Sequence, residues 1–422
     1  MLDRRRFLAT SAGLMLAPSL AAAAQGQRKK VAFLGTVVRD LSHAQHFLDR
    51  LTLGYAWQGG WQAPRVDVAS VYIDQFPNDD LARGRIARHK LRQYSSIAEA
   101  LTLGGSKLAV DGVVIIGEHG DYPKNDLRQT LYPRYQWFKE VVQVFEQSGR
   151  SVPVFNDKHL STSWSECQEM VDDSRRLGFA FHAGSSLPVT WRLPSIDMPF
   201  DAPLRESACV AYGGMDSYDF HAYETAQCMS ERRRGGEVGI RRVQALTGDK
   251  LWSLLASDDR RVTRDLFVAA LTRSHNLPVE GGYPTDVVSL DWARTTMPRT
   301  TGVFVEHLDG FQTSIYLTNV RDFNYAGYIA GENGGGKIVS CQMYLPMPRQ
   351  GSTTADFFTP LVRHMEEMFL TGKAPYPVER TLLTSGMVIG GVESLDRDQA
   401  VVETPKMAVP YQAPKESLFW RS

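Results

Sequence analysis

In the first half of the chain, apolar and polar positions alternate in blocks rather than residue by residue. The runs Val31 to Gly35, Val66 to Ile73, Val110 to Ile116, Val152 to Phe155 and Phe179 to Ala183 are short and apolar, the pattern of strands covered on both faces. Stretches with helical spacing lie between them: Ser42 to Leu53, an arginine-rich stretch through Arg92, Ile97 to Leu103, Tyr135 to Gln147, and a segment to about Leu177 that opens on the capping-box pair Ser163 and Glu166. Alternation of this kind predicts a doubly wound parallel sheet with ligands at the carboxyl ends of its strands. A proline-rich connection from Arg192 to about Ala208 then separates a second pattern. Gly302 to His307, Gln312 to Thr318, Asn324 to Ile329 and Lys337 to Met343 alternate apolar and polar residues as antiparallel strands do, and Ala355 to Thr371 reads as an amphipathic helix. The expected fold is therefore α/β. A Rossmann-like doubly wound parallel sheet over residues 29–192 is followed by an α+β domain with an open, mostly antiparallel sheet over 193–400, and then a tail over 401–422.

Length and charge narrow the function. A chain of 422 residues suits two domains, and 47 basic against 47 acidic residues suggest neither a nucleic-acid partner nor an anionic membrane surface. The four cysteines, Cys167, Cys209, Cys228 and Cys341, have no metal-ligand spacing and read as buried small side chains. At the N-terminus, Asp3, Arg4, Arg5, Arg6, Phe7 and Leu8 precede an apolar stretch from Ala9 to Leu20 that closes on Ala21 to Ala24. That is the pattern of a signal peptide, residues 1–24, and its paired arginines make it the twin-arginine type. It predicts export of the folded chain by the twin-arginine machinery, a periplasmic or otherwise exported mature protein, and no stable membrane span after processing.

Three segments carry a resemblance. VDGVVIIGEHG, SVPVFNDKHLSTSWSECQEMVDDSRRLG and YGGMDSYDFHAYETAQCM resemble, in order, the strand near the cofactor, the Glu-Lys-Pro loop with its helix, and the glycine and histidine helix of the Gfo/Idh/MocA oxidoreductases. Lys158 falls on that family's lysine, Gly213 and Gly214 on its glycines, and His221 on its histidine. The resemblance runs from about residue 29 to 400 and makes the segment from Tyr376 to Ser394 the closing helix. It implies hydride exchange with NAD or NADP, with Lys158 and His221 catalytic. It also implies a second-domain sheet that serves as substrate wall and subunit contact, so a homo-oligomer through that sheet is one expectation and stacking by Tyr316, Phe323, Tyr325 and Tyr328 another. The chain departs from the family pattern at three places. The first turn reads Gly35, Thr36, Val37, Val38, Arg39, Asp40, Leu41, Ser42, so the GxGxxG cradle is absent; Asn156 and His159 stand where the family has glutamate and proline around the lysine; and Ser217 replaces an aspartate one turn before the histidine.

The residues themselves support this chemistry. Oxidising an alcohol needs a base and a group that stabilises oxygen charge, for which His221 and Lys158 are suited. Gly35, Arg39, Ser42, Asp74 and Glu118 are the expected cofactor contacts, with Arg39 and Ser42 standing in for glycines at the phosphates and Asp74 at a ribose hydroxyl. His119, Asp157, His159, Arg192 and Tyr218 are the expected contacts to a carbohydrate-like small molecule. No HxH or HxxxH spacing supports a metal, and none is expected. Two alternatives stay open: a nicotinamide-independent lyase or hydratase acting beside a ketone, which the histidines and carboxylates after the Val110 to Ile116 run would serve, and a noncatalytic carbohydrate-binding protein. The charge run Glu231, Arg232, Arg233, Glu237 reads as a solvated helix end or a subunit contact.

Overall fold

A computed structural model of the chain describes residues 28–277, 288–331, 335–346 and 354–419. The expected signal peptide, residues 1–24, lies outside the described residues. The first unit runs β1 (Lys30–Gly35), α1 (His43–Leu53), a hairpin of β2 (Tyr55–Trp57) and β3 (Gly60–Gln62), β4 (Asp67–Ile73), α2 (Ala82–His89), α3 (Ile97–Thr102), β5 (Gly112–Ile116), α4 (Arg134–Ser148), β6 (Val154–Asp157), α5 (Trp164–Leu177) and β7 (Phe181–Gly184). β4, β1, β5, β6 and β7 lie side by side in that order, and every pairing is parallel. β1 and β5 are almost wholly buried, as strands between two helical layers must be. After β1 the chain goes to one side for β4 and to the other for β5. The crevice at the carboxyl ends of β1 and β5 is therefore the topological switch point, where such sheets bind ligands.

The second unit is one eight-stranded sheet. β8 (Arg192–Leu193), β9 (Leu204–Tyr212), β10 (Ile240–Thr247), β11 (Thr301–His307), β12 (Gln312–Thr318), β13 (Phe323–Ala330), β14 (Gly336–Met343) and β15 (Val402–Glu403) stand in the order β15-β10-β11-β12-β9-β13-β14-β8. Every pairing is antiparallel except β12 with β9. α6 (Asp219–Ser230) and α11 (Glu379–Asp396) pack on one side of this sheet, while α7 (Gly248–Ala256), α8 (Arg261–Leu271) and α9 (Leu290–Thr296) form a separate apolar cluster with Ala208, Val210, Tyr316 and Ala326. α10 (Phe358–Thr371) returns to the first unit and packs on α1 and β2. Among the described residues no helix is long and apolar enough to cross a membrane.

Several expectations need correction here. The connection from Arg192 to Ala208 contains β8 and the start of β9, which is a central strand of the second sheet and pairs with both β12 and β13. The Ser163 capping box does not form: Ser163 makes no side-chain cap, and Glu166 accepts instead from the Ser161 hydroxyl. Tyr316 and Tyr325 are fully buried packing residues, so neither is placed to stack on a ligand, and Phe323 is equally buried with its ring 5.8 Å from that of His221. Residues 401–419 are not a free tail, because β15 extends the sheet and the Tyr411 hydroxyl is buried against Glu231 at 2.7 Å. The charge run is buried as well. Glu231 pairs with Arg380, and Glu237 with Arg233 and His307, each at or below 3.0 Å.

Candidate active site

The chain ends of β1, β5 and β6 meet the N-terminal half of α6 at one polar cluster. Thr36, the residue after β1, donates from its backbone N–H to the Ile116 carbonyl at 3.2 Å and from its hydroxyl to the Glu118 carbonyl at 2.5 Å. These bonds fix the loop after β5 and hence Glu118. Lys158 follows β6 with a left-handed φ of 69°, uncommon for a residue with a side chain, and its N–H donates to the Gly184 carbonyl at 3.0 Å. Gly184 itself cannot be replaced freely: its φ is 129° and an added Cβ would stand 2.6 Å from Glu224 Oε2. Gly213, at φ 100°, likewise leaves room for the ring of Tyr218, which lies 6.1 Å from the ring of His221.

Lys158 and His221 are brought together across the two units. Lys158 Nζ lies 2.7 Å from His221 Nε2 and 3.2 Å from Glu118 Oε1, with Lys158 only 5% and His221 only 6% exposed. Burial, with Lys158 and His43 beside it, holds His221 well below the usual histidine range, so its Nε2 is an acceptor for the lysine ammonium. Burial alone would raise Glu118, but His43 and Lys158 hold its carboxyl well below the ordinary range. His43, the first residue of α1, completes the cluster, with Nδ1 2.7 Å from Asp157 Oδ2 and 3.6 Å from Glu118 Oε2. Nothing in the local sequence singles it out, since Asp157 is 114 residues away. Arg134, at the start of α4, was equally silent; its Nη1 faces His159 Nε2 at 3.0 Å, and burial with Arg134 and Lys158 keeps His159 far below its usual range.

The other expected contacts divide. His119 sits in the cluster, its ring 5.8 Å from that of His43, and burial pushes it down to about 4. Arg39 is exposed on the loop before α1. Ser42 serves as the helix cap, its hydroxyl accepting from Gln45 N at 3.2 Å and Arg39 N at 3.1 Å. Gly35 answers to packing, because an added Cβ would meet Phe33 and Ile73 at 3.0 and 3.2 Å. Val38 belongs to the apolar core. Asp74 accepts from Tyr72 at 2.9 Å and Tyr122 at 2.6 Å, which holds its carboxylate at the end of β4. Arg192 is not a substrate contact: its guanidinium is committed to Asp197 at 2.6 Å and lies over the Phe419 ring.

Two carboxyls behind the cluster give a pH prediction. Burial pushes Asp219 and Glu224 up to about 7, and Glu224 accepts from Thr384 Oγ1 at 3.1 Å and Ser185 N at 3.3 Å. A carboxyl raised in the folded state favours folding while protonated, so its contribution is full below about pH 4.5 and is lost as pH rises through 7. The loss is about 3 kcal/mol for Glu224 and about 4 kcal/mol for Asp219. Glu224→Gln is therefore expected to match the parent urea midpoint at pH 5 and exceed it at pH 8. Equal midpoints at pH 8 would remove the assignment.

No protein-family model matches the chain, and no curated protein matches it in sequence. Solved structures do match in fold. Myo-inositol dehydrogenase from Lactobacillus casei, in complex with NAD(H) and myo-inositol, aligns with TM-score 0.52 at 10% identity over 89% of this chain and 97% of that one. Myo-inositol 2-dehydrogenase from Lactobacillus plantarum aligns with TM-score 0.51 at 12% identity over 89% and 99%. GenD2 from gentamicin A biosynthesis, in complex with NAD, gives 0.51 at 15% identity over 92% and 99%. At such identities the likeness establishes the two-domain architecture, a parallel Rossmann-like sheet with a second, mostly antiparallel one.

Proposed function

We propose, from the premise of a two-domain fold of the Gfo/Idh/MocA-type dehydrogenases, that this chain is an oxidoreductase exchanging a hydride between NAD or NADP and a hydroxyl-bearing carbon of a sugar or polyol. The observation that carries this reading is the buried contact of Lys158 Nζ with His221 Nε2 at the switch point of the parallel sheet. The paired arginines of residues 4–6 support export by the twin-arginine route after folding.

The crevice suits a dinucleotide in its donor set. Arg39 is exposed beside the N-terminus of α1, Asp74 stands at the end of β4 and Glu118 at the end of β5, so these three residues would hold the phosphates and riboses. A bound nicotinamide supplies the hydride acceptor. The chain supplies the rest: a substrate hydroxyl entering between Nζ and Nε2 gives its proton to neutral His221, while the Lys158 ammonium stabilises the charge that develops on oxygen. Glu118 holds the ammonium in place from its other side. Low exposure of the pair excludes water from the reacting hydroxyl and strengthens both interactions.

Denaturing the protein purified from the cytoplasm should release about one NAD or NADP per chain, identified by mass and absorbance. No released nucleotide, together with no quenching or enhancement on titration with NADH and NADPH, would sink the dehydrogenase reading. One observation favours a second one. The Ser42 hydroxyl occupies Gln45 N, and Gln45 Oε1 occupies Leu41 N at 2.9 Å, so two donors at the start of α1 already have partners. A nicotinamide-independent lyase or hydratase would use the same Lys158 and His221 to move a proton beside a ketone.

A further inference from the structure

We infer that His43, Glu118 and His119 form a binding site for one divalent transition-metal ion of the zinc, manganese or ferrous class. Each residue offers a ligand atom, and the three atoms lie within 4.8 Å of one another. Two imidazoles and one carboxylate are the donor set of such ions, whereas magnesium and calcium favour oxygen alone. The spacing escapes sequence inspection because His43 comes from α1, 75 positions before the adjacent pair Glu118 and His119 on the loop after β5.

The geometry around these residues points to a ligand independently. Among the described residues, Glu118 Oε2 and His119 Nε2 are buried atoms with no hydrogen-bond partner, Oε2 having only the looser 3.6 Å contact with His43 Nδ1, and such a state is costly unless a further polar or charged group satisfies them. His119 is held at a left-handed φ of 65°, a strained backbone that persists only where its surroundings impose it. Asp157 Oδ2 takes Nδ1 of His43 at 2.7 Å. A carboxylate hydrogen-bonded to a ring nitrogen in this way fixes the imidazole's orientation, support that metal-binding histidines ordinarily carry. Three protein ligands leave at least one coordination position open, as in catalytic rather than structural sites. Lys158 Nζ is 3.2 Å from Glu118 Oε1, so an oxygen of a hydroxy-ketone or vicinal diol bound at that position would join the cluster that carries Lys158 and His221.

The inference does not depend on hydride transfer, and its test uses metal alone. The full chain, stripped with chelator, is titrated with Co2+ and then Zn2+ in the absence of substrate and nucleotide. One Co2+ per chain with visible absorption, displaced by Zn2+, is expected. His43→Ala and His119→Ala should each weaken Zn2+ at least about 100-fold. Glu118→Gln, nearly isosteric and so a guard against misfolding, should do the same, while His364→Ala, whose ring is bonded to the Leu418 carbonyl, should change nothing. No stoichiometric Co2+, affinity unchanged in the Glu118→Gln chain, or a preference for Mg2+ over Co2+ would overturn the site. A chain that binds Zn2+ but neither releases nicotinamide nor responds to NADH or NADPH refutes the dehydrogenase and keeps the metal, and the converse result does the opposite.

Discussion

Lys158→Met should leave a folded protein with turnover reduced by about 10²- to 10⁴-fold, the scale on which positioned acid–base groups act. The prediction separates chemistry from architecture because the strain at this residue is in the backbone. Its φ of 69° and its N–H bond to Gly184 O belong to the backbone and do not depend on the ammonium, so methionine fills the volume and removes only the charge. Glu118 then loses the lysine, one of the groups that hold its carboxyl low, and keeps its contact with His43 Nδ1 at 3.6 Å. His221→Asn should cost a similar factor, and the double variant little more than either single one, since Nζ and Nε2 are in direct contact and act as a unit. Measured kcat/KM values for the three variants, beside melting curves, test this. A Lys158→Met enzyme that keeps a tenth of its activity would remove the lysine from the mechanism.

What the sequence disclosed follows the reach of each interaction. The parallel sheet was legible because strands buried on both faces leave continuous apolar runs, as β1 and β5 do; β6 and β7 are short buried strands broken by polar residues, and the edge strand β4 is only partly buried and keeps apolar residues mainly towards its end. The β2–β3 hairpin was missed: its strands are three residues each, and its turn depends on left-handed Gln58 and Gly59. β9 was hidden within a proline-rich connection although its last residues are wholly apolar. At the site, Lys158 and His221 were legible only through the family resemblance, while His43 and Arg134 had no local sign. Their partners Asp157 and His159 are separated from them by 114 and 25 residues, and a lone histidine or arginine at a helix start has many ordinary uses. Charge was the least legible feature. The run from Glu231 to Glu237 has the composition of a solvated surface, but its partners Arg380 and His307 lie 149 and 70 residues away and take it into the interior.

That misread charge run carries the largest expected stability effect. Arg380, 2% exposed, meets Glu231, 1% exposed, with Nε donating to Oε2 at 2.8 Å and Nη2 donating to Oε1. The Tyr411 hydroxyl donates to the same carboxylate at 2.7 Å, and the guanidinium lies 3.8 Å from the centre of the Tyr376 ring. Removing only the arginine strands a buried carboxylate, so Arg380→Met should destabilise the protein by about 3–5 kcal/mol. That is a large share of the about 5–15 kcal/mol that holds a typical domain folded. Replacing both partners removes the stranded charge along with its counter-charge, so Glu231→Leu combined with Arg380→Met should recover much of the loss. Urea unfolding of the two singles and the double closes the cycle, and a cost below about 1 kcal/mol for Arg380→Met would show that the carboxylate finds water instead. The effect should also reach the active site. Glu231 ends α6, which carries His221, and Arg380 begins α11, whose Ser385 hydroxyl accepts from Leu160 N at 3.1 Å two residues beyond Lys158. The ion pair thus ties the helix that holds the histidine to the loop that holds the lysine. Under conditions where Arg380→Met is still folded, kcat should fall with little change in substrate affinity, because the 2.7 Å contact between the two residues is what the clamp maintains.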